Sequence, residues 1–156
     1  MTLAGLHDVI QMAMGWDDYH LHDFEIDGVV YGSNDGEDWG TPVKDERRAR
    51  LNAVAPAGTS IVYQYDFGDS WYHDIEVEEV LPAEAGQHYP LCLAGAGACP
   101  PEDCGGTWGY AELLEVLADP KHEEHESMLE WVGGAFDADR FDLAAVNETL
   151  SLIAAR

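Results

Sequence analysis

The sequence predicts an α+β fold: a mostly antiparallel sheet with a central hairpin, one N-terminal helix and a C-terminal cluster of about three helices. Strand-like alternation of apolar residues is confined to residues 20–77, and helix-like spacing dominates residues 107–154. Strands grouped early and helices grouped late favour a sheet covered by segregated helices. The length of 156 residues predicts a single domain, whose core is large enough to fold without a metal or a disulfide.

The N-terminal helix is predicted over Leu3–Met14, where apolar residues recur at helical spacing. Thr2 can cap its first turn and Gly15 can end it. A strand follows at residues 20–26, and Asp27–Gly28 forms a tight turn into a short return strand. Residues 32–42, which include Trp39, are predicted to be an acidic loop, and residues 51–55 could close a short helix.

The strand at residues 20–26 places His20 and His22 on the same face as Phe24 and Ile26. Two histidines spaced by one residue can chelate a metal ion. They can equally flank the end of a sheet, and both interpretations stay open.

Residues 61–77 predict the central hairpin, because each strand alternates apolar and polar residues. Matching the two apolar faces requires a three-residue turn at 68–70, which pairs Phe67 with Trp71 and Tyr65 with His73. This register places His73 on the apolar face. There it is either a core histidine with satisfied ring nitrogens or a metal ligand or general base.

The C-terminal half begins with a long irregular stretch, residues 83–106, which is expected to pack across the sheet. Helices are predicted over residues 108–118, capped by Thr107, and over residues 120–132, opened by Asp119 and Pro120. A third helix is predicted over residues 143–154, capped by Asp142.

The charge balance is strongly acidic, with 31 acidic against 7 basic residues and a formal net charge of −24. Such a surface repels phosphate backbones, so direct binding of nucleic acid is disfavoured. The acidity fits a high-salt habitat or a need for solubility, and the sequence does not distinguish the two. No window is apolar enough to span a membrane and no signal peptide is recognisable, so we expect a cytoplasmic protein.

Three cysteines, Cys92, Cys99 and Cys104, lie within thirteen residues. Their odd number argues against a disulfide framework. Their spacing matches no zinc-finger or zinc-ribbon pattern. A three-thiolate zinc site with His73 or His88 as the fourth ligand remains one alternative, beside buried free thiols or a redox pair.

The string CPPEDCGG, residues 99–106, combines two prolines that fix the backbone with two glycines that free it. Glu102 and Asp103 lie between them. This frame could hold side chains for a site, or it could simply be a covering loop.

The hairpin turn contributes Asp66 and Asp69, which flank Gly68. They could coordinate a cation or act as acid and base, although aspartates in turns often bond the neighbouring backbone instead. The string HEEHE at residues 122–126 fails as a metalloprotease motif, because HExxH would require a histidine where Glu126 stands.

The strings GWDDYHLHDFEI, YDFGDSWYHDIEVE and YPLCLAGAGACPPEDCGGTWGY, at residues 15–26, 65–78 and 89–110, resemble the plasmid pRiA4b ORF-3-like family over nearly the whole chain. The resemblance implies an α+β domain, an association with plasmids or transposons, and no determined activity. It also implies the following signature residues: Asp66, Gly68, Asp69, Trp71, His73, Cys92, Pro100, Pro101, Glu102, Asp103, Cys104, Gly105 and Gly106.

Members of that family usually begin with a strand before the first helix, whereas this chain begins at the helix. A missing strand would leave a sheet edge uncovered, and uncovered edges pair with other chains. We therefore expect self-association, or a protein partner, at that edge.

Two hypotheses of function follow. In the first, the protein is a non-catalytic accessory or interaction protein whose binding surface combines the hairpin turn with the loop: Gly68, Trp71, Pro100, Pro101, Gly105 and Gly106. In the second, it is a metal-dependent, hydrolase-like enzyme. Its catalytic candidates are Asp66, Asp69, His73, Glu102 and Asp103, and its candidate metal ligands are His73, Cys92, Cys99 and Cys104.

Overall fold

The structure is a computed structural model that describes residues 1–33 and 42–153. Trp39, predicted to lie in the acidic loop, is outside the described residues. The α+β fold is confirmed. The elements in chain order are α1 (Leu3–Met14), β1 (His22–Ile26), β2 (Val29–Gly32), β3 (Val43–Asp45), α2 (Leu51–Val54), β4 (Ser60–Tyr65), β5 (Trp71–Glu76), α3 (Gly106–Ala118), α4 (His125–Trp131) and α5 (Leu143–Leu150).

The five strands found in the described residues form one sheet in the order β3-β2-β1-β4-β5. Three of the four strand pairings are antiparallel and only β2 with β3 is parallel, so the predicted antiparallel character is confirmed. Asp27 and Gly28 both adopt positive φ, 50° and 74°, which lets a two-residue turn join β1 to β2. Strand β3 was not predicted, because three residues are too few to show an alternation.

Helix α1 packs its apolar stripe on one face of the sheet. Its bounds match the prediction: the Thr2 side chain accepts a hydrogen bond from the Gly5 amide, and Gly15 ends the helix at φ 79°. The largest fully buried side chains include Leu3 of the helix and Phe24 and Tyr63 of the sheet. The core therefore lies between α1 and strands β1 and β4.

The central hairpin is present, but the predicted three-residue turn is wrong. Tyr65 pairs with Trp71 and Tyr63 with His73, so the loop covers five residues, 66–70. Strand β4 ends early because Asp66 turns to φ 55° and its carbonyl accepts a 2.6 Å hydrogen bond from the Ser70 amide. The shift of two residues keeps each strand's faces, so His73 stays on the apolar side.

The observed register takes Phe67 out of the predicted core face. Phe67 lies in the loop instead and is 47% exposed. We expect Phe67→Ser to change the free energy of unfolding by no more than about 0.5 kcal/mol, as surface substitutions generally do. Phe24→Ala in the core is the matched contrast, with an expected loss of about 3–5 kcal/mol. Chemical denaturation of both variants checks this. A comparable loss for the two would mean that Phe67 is buried as the sequence predicted.

The C-terminal helices are present with altered bounds. Gly105, not Thr107, occupies the N-cap of α3, and α4 begins only at His125 because turns occupy residues 120–124. Trp131, the last residue of α4, is 47% exposed. Asp142 caps α5 as predicted by accepting from the Ala145 amide. Helix α5 ends at Leu150, and residues 154–156 are outside the described part.

Helix α5 packs against α1. The long stretch between β5 and α3 has no regular secondary structure in the described chain. No helix formed by the described residues is long and apolar enough to cross a bilayer.

Candidate functional site

The hairpin turn and the loop at residues 100–106, here called the PPEDCGG loop, lie in direct contact. The Gly105 amide donates a 3.0 Å hydrogen bond to Oδ2 of Asp69. Gly106, at φ 66°, sits so close to the Asp69 carbonyl that a side chain there would overlap it. The two segments singled out from the sequence therefore form one surface.

The segment between α1 and β1 holds the PPEDCGG loop from the other side. The Trp16 indole donates to the Pro100 carbonyl at 3.0 Å. The Asp17 amide and the Tyr65 hydroxyl both donate to Oε1 of Glu102, each at 2.9 Å. Burial raises the pKa of Tyr65, so this phenol stays a donor at neutral pH. These contacts fix Glu102 with its second oxygen, Oε2, directed away from the donors.

Four side chains meet where these segments converge. Nε2 of His20 lies 3.0 Å from Oδ1 of Asp103, 3.7 Å from Oδ2 of Asp66 and 3.7 Å from Oε2 of Glu102. We call this set the His20 cluster. It joins Asp66 of the hairpin turn to Glu102 and Asp103 of the PPEDCGG loop around a histidine that precedes β1.

The geometry around Nε2 of His20 is unusual. This atom is buried, yet it has no hydrogen-bond partner among the described residues, because the short approach of Asp103 lacks hydrogen-bond geometry. A buried polar atom without a partner costs roughly 1–3 kcal/mol, so it calls for an explanation. The ligand atoms of His20, Asp66 and Asp103 lie within 4.8 Å of one another, a spacing that a metal ion could bridge.

Two of the three carboxylates, Asp66 and Glu102, are oriented by hydrogen bonds to their outer oxygens. The Gly68 amide donates to Oδ1 of Asp66 at 2.9 Å, which leaves Oδ2 facing His20. Glu102 is held in the same way through Oε1. Metal sites are commonly built like this, with a second shell that fixes the ligand oxygens. Only 10% of the Asp66 side chain is exposed against 67% for Asp103, so the cluster opens to solvent on the Asp103 side.

His73 does not join the cluster. Its ring packs edge-on against Trp16 at 5.5 Å, and its Nδ1 donates to the Tyr63 carbonyl at 3.3 Å. Burial lowers the pKa of His73, which favours the neutral ring. Of the two interpretations open in the sequence, the core histidine fits this environment. Asp69 is likewise engaged with the loop backbone rather than with His20.

The three cysteines are free thiols. Cys92 is tied to α5, where its amide donates to Oδ1 of Asn147 at 2.8 Å. Burial raises the pKa of Cys99 to about 12 and that of Cys104 to about 11, so both remain protonated at neutral pH. Neither of the two His, Cys, Asp and Glu groups that could hold an ion within the described residues contains a cysteine or His73.

The sequence left open that His20 and His22 chelate one metal ion together, but in the structure their side chains have different partners. His22 turns to Glu46, with Nε2 to Oε2 at 2.9 Å, and stacks on His7 with ring centroids 3.5 Å apart. Strand alternation placed both histidines on one face correctly. Their partners come from distant segments, so no local signal could have assigned them.

Comparisons with known proteins agree with the fold. The model of the family described as plasmid pRiA4b ORF-3-like protein matches residues 1–145. The chain is 43% identical over 159 residues to "Uncharacterized protein y4hQ" of Sinorhizobium fredii (strain NBRC 101917 / NGR234), covering 100% of this chain and 81% of that protein. It is similar to the crystal structure of a protein of unknown function from Methanosarcina mazei Go1. That match has 42% identity, coverage of 91% and 81% of the two chains, and a TM-score of 0.81.

Proposed function

Because the chain belongs to the plasmid pRiA4b ORF-3-like family and the relatives named above are uncharacterised, we propose a function from the site itself. The protein binds one divalent transition-metal cation in the His20 cluster, with metal-assisted hydrolysis as the reaction class. The observation that carries this proposal is the buried, unpartnered Nε2 of His20 facing three carboxylate oxygens.

Electrostatics support a cation. Three carboxylates crowded around one imidazole repel one another, and a dication between them would relieve that repulsion. One nitrogen with carboxylate oxygens is a donor set suited to Mn²⁺, Fe²⁺ or Zn²⁺. This set differs from the cysteine-based zinc site considered from the sequence, and it uses Asp66, Glu102 and Asp103 from among the predicted catalytic residues.

The hydrolytic chemistry follows from what such an ion supplies. A divalent ion lowers the pKa of a bound water and so provides hydroxide near neutral pH. The cluster is open to solvent on the side of Asp103, while Asp66 and Glu102 are held by their backbone and tyrosine donors. The strongly negative surface favours neutral or cationic substrates over anionic ones.

Cation binding can be tested directly by isothermal titration calorimetry with MnCl2 and ZnCl2, on protein stripped of metal with a chelator that is then removed by dialysis. We expect about one equivalent in the His20 cluster, and His20→Asn should weaken that binding by at least about 100-fold. His122→Asn, in an exposed histidine outside the cluster, is the matched control and should leave the affinity unchanged. An unchanged number of bound equivalents with unchanged affinity in His20→Asn, with an intact circular dichroism spectrum, would reject this site.

A second candidate is the non-catalytic interaction protein. Strand β5 is an edge of the sheet among the described residues, and Tyr72 on it is 65% exposed. Such an edge can pair with a partner protein or a second copy. An association with plasmids or mobile elements belongs to this candidate and rests on the family name. If the wild-type protein dimerises at micromolar concentration and binds no cation, this candidate replaces the first.

A further inference from the structure

A second group of polar side chains lies beside the His20 cluster, between α1, β1 and the turn after β3. His7 and His22 stack with ring centroids 3.5 Å apart and planes within 5°. Asp18 reaches His7 and Glu46 reaches His22. The side chains of His7 and Glu46 are only 6% and 7% exposed, so this group, here called the His7 cluster, is largely enclosed.

The hydrogen bonds assign the tautomer of His7. The Tyr63 hydroxyl accepts from Nε2 of Gln11 at 3.0 Å, so its own proton is directed to Nδ1 of His7 at 2.8 Å. Nδ1 is therefore the acceptor, and Nε2 carries the ring proton and donates it to Oδ1 of Asp18 at 2.9 Å. His22 meets Oε2 of Glu46 through its own Nε2 at 2.9 Å. Each pair thus holds a proton between an imidazole nitrogen and a carboxylate oxygen.

A single dication can replace both protons. The ligand atoms of His7, Asp18 and His22 lie within 4.8 Å of one another, and Glu46 adds a carboxylate at Nε2 of His22. We propose that the His7 cluster is a second cation site, in which His7 and His22 bind through Nε2 and Asp18 and Glu46 through their carboxylates. Two imidazoles with two carboxylates suit Zn²⁺, Fe²⁺ or Co²⁺ better than Mg²⁺ or Ca²⁺.

Binding requires a local change, because the lone pairs of two parallel rings do not converge on one point. The rings must tilt towards each other as the proton of each imidazole–carboxylate pair leaves. The Tyr63 hydroxyl already fixes the other nitrogen of His7, which is the second-shell support that metal-binding histidines usually have. His7 and Asp18 also line a groove beside α1, so an ion can reach the cluster from solvent.

The two clusters are neighbours with different chemistry. The ring of His20 contacts Tyr65 and that of His22 contacts Tyr63, and these two tyrosines are two residues apart on β4. On the adjacent strand, Tyr65 supports the His20 cluster and Tyr63 supports the His7 cluster. The inference stands on the His7 cluster alone and does not require the His20 cluster to bind an ion.

Titration with CoCl2, followed by calorimetry and by visible absorption, tests the second site. We expect two equivalents in the wild-type protein. Asp18→Asn should weaken one equivalent by at least about 100-fold; this substitution suits the test because the Asp18 side chain is 59% exposed and its loss leaves no large cavity. His22→Asn should have the same effect. Asp8→Asn, in an exposed residue of α1 that lines the same groove, is the matched control and should retain both equivalents.

The outcomes separate the two sites. If His20→Asn retains one equivalent and Asp18→Asn combined with His20→Asn retains none, both sites are supported. Loss of binding in Asp18→Asn but not in His20→Asn supports the His7 cluster and rejects the proposed function at the His20 cluster. If Asp18→Asn and His22→Asn both still bound two equivalents of cobalt, the inference would be overturned. The same holds if these variants lost stability while their cobalt binding stayed unchanged.

Discussion

Gly106→Ala is expected to lower the free energy of unfolding by about 2–4 kcal/mol and to detach the PPEDCGG loop from the hairpin turn. Two penalties add at this position. A left-handed φ of 66° strains any residue with a Cβ, and that Cβ would overlap the carbonyl oxygen of Asp69. The loop backbone must move to relieve this overlap, and the movement breaks the hydrogen bond from the Gly105 amide to Asp69.

The same displacement would carry Glu102 and Asp103 away from His20. Cation affinity should therefore fall together with stability, and calorimetric titration of the variant measures this. Gly133→Ala separates the two penalties, because Gly133 shares the left-handed backbone, at φ 84°, but no atom of the described residues lies within 4 Å of an added Cβ. In this control we expect backbone strain alone to lower the free energy of unfolding by about 1–2 kcal/mol, with unchanged cation binding. Equal losses in the two variants would contradict the close contact between loop and turn.

Tyr63→Phe is expected to lower the free energy of unfolding by about 2–3 kcal/mol, although it removes a single oxygen atom. Tyr63 is fully buried, and its hydroxyl serves both Nδ1 of His7 and Nε2 of Gln11. Without that hydroxyl, two enclosed polar groups lose a partner, and each unsatisfied group costs roughly 1–3 kcal/mol. Burial also raises the pKa of Tyr63, which keeps the hydroxyl protonated as a donor at neutral pH.

Tyr72→Phe is the control for this substitution, because Tyr72 lies on β5 and is 65% exposed. Its stability should change by no more than about 0.5 kcal/mol in urea denaturation. If the two variants proved equally stable, the hydrogen-bonded chain from Gln11 to Asp18 would contribute nothing to folding. The proposed support for His7 would then fail as well.

The local elements of this fold were predictable because their signals lie within a few residues. Thr2 and Gly15 mark both ends of α1, Asp27–Gly28 marks a two-residue turn, and Asp142 marks the start of α5. Caps and turns are satisfied by the backbone immediately around them. The family resemblance could also be stated from the sequence, since its strings cover nearly the whole chain, and the family match confirms it.

Local sequence patterns did not determine the register of the central hairpin. Alternation determined which faces of the strands match, and therefore the side on which His73 lies. It could not distinguish registers that differ by two residues, because both keep the same faces. The left-handed backbone at Asp66, together with the hydrogen bond that its amide donates to the Leu21 carbonyl, decided the register. Leu21 lies just before β1, far from the hairpin in sequence.

The sequence by itself determined the fold class, the family and the candidates Asp66, Glu102 and Asp103. Only the tertiary structure decided that these three meet His20, while neither His73 nor a cysteine belongs to a group of described residues that could hold an ion. The physical reason is the distance along the chain between the residues that interact. Secondary structure follows from periodicity and capping over a few residues, whereas the His20 cluster joins segments more than 80 residues apart through the contacts of Trp16 and Asp17 with the PPEDCGG loop.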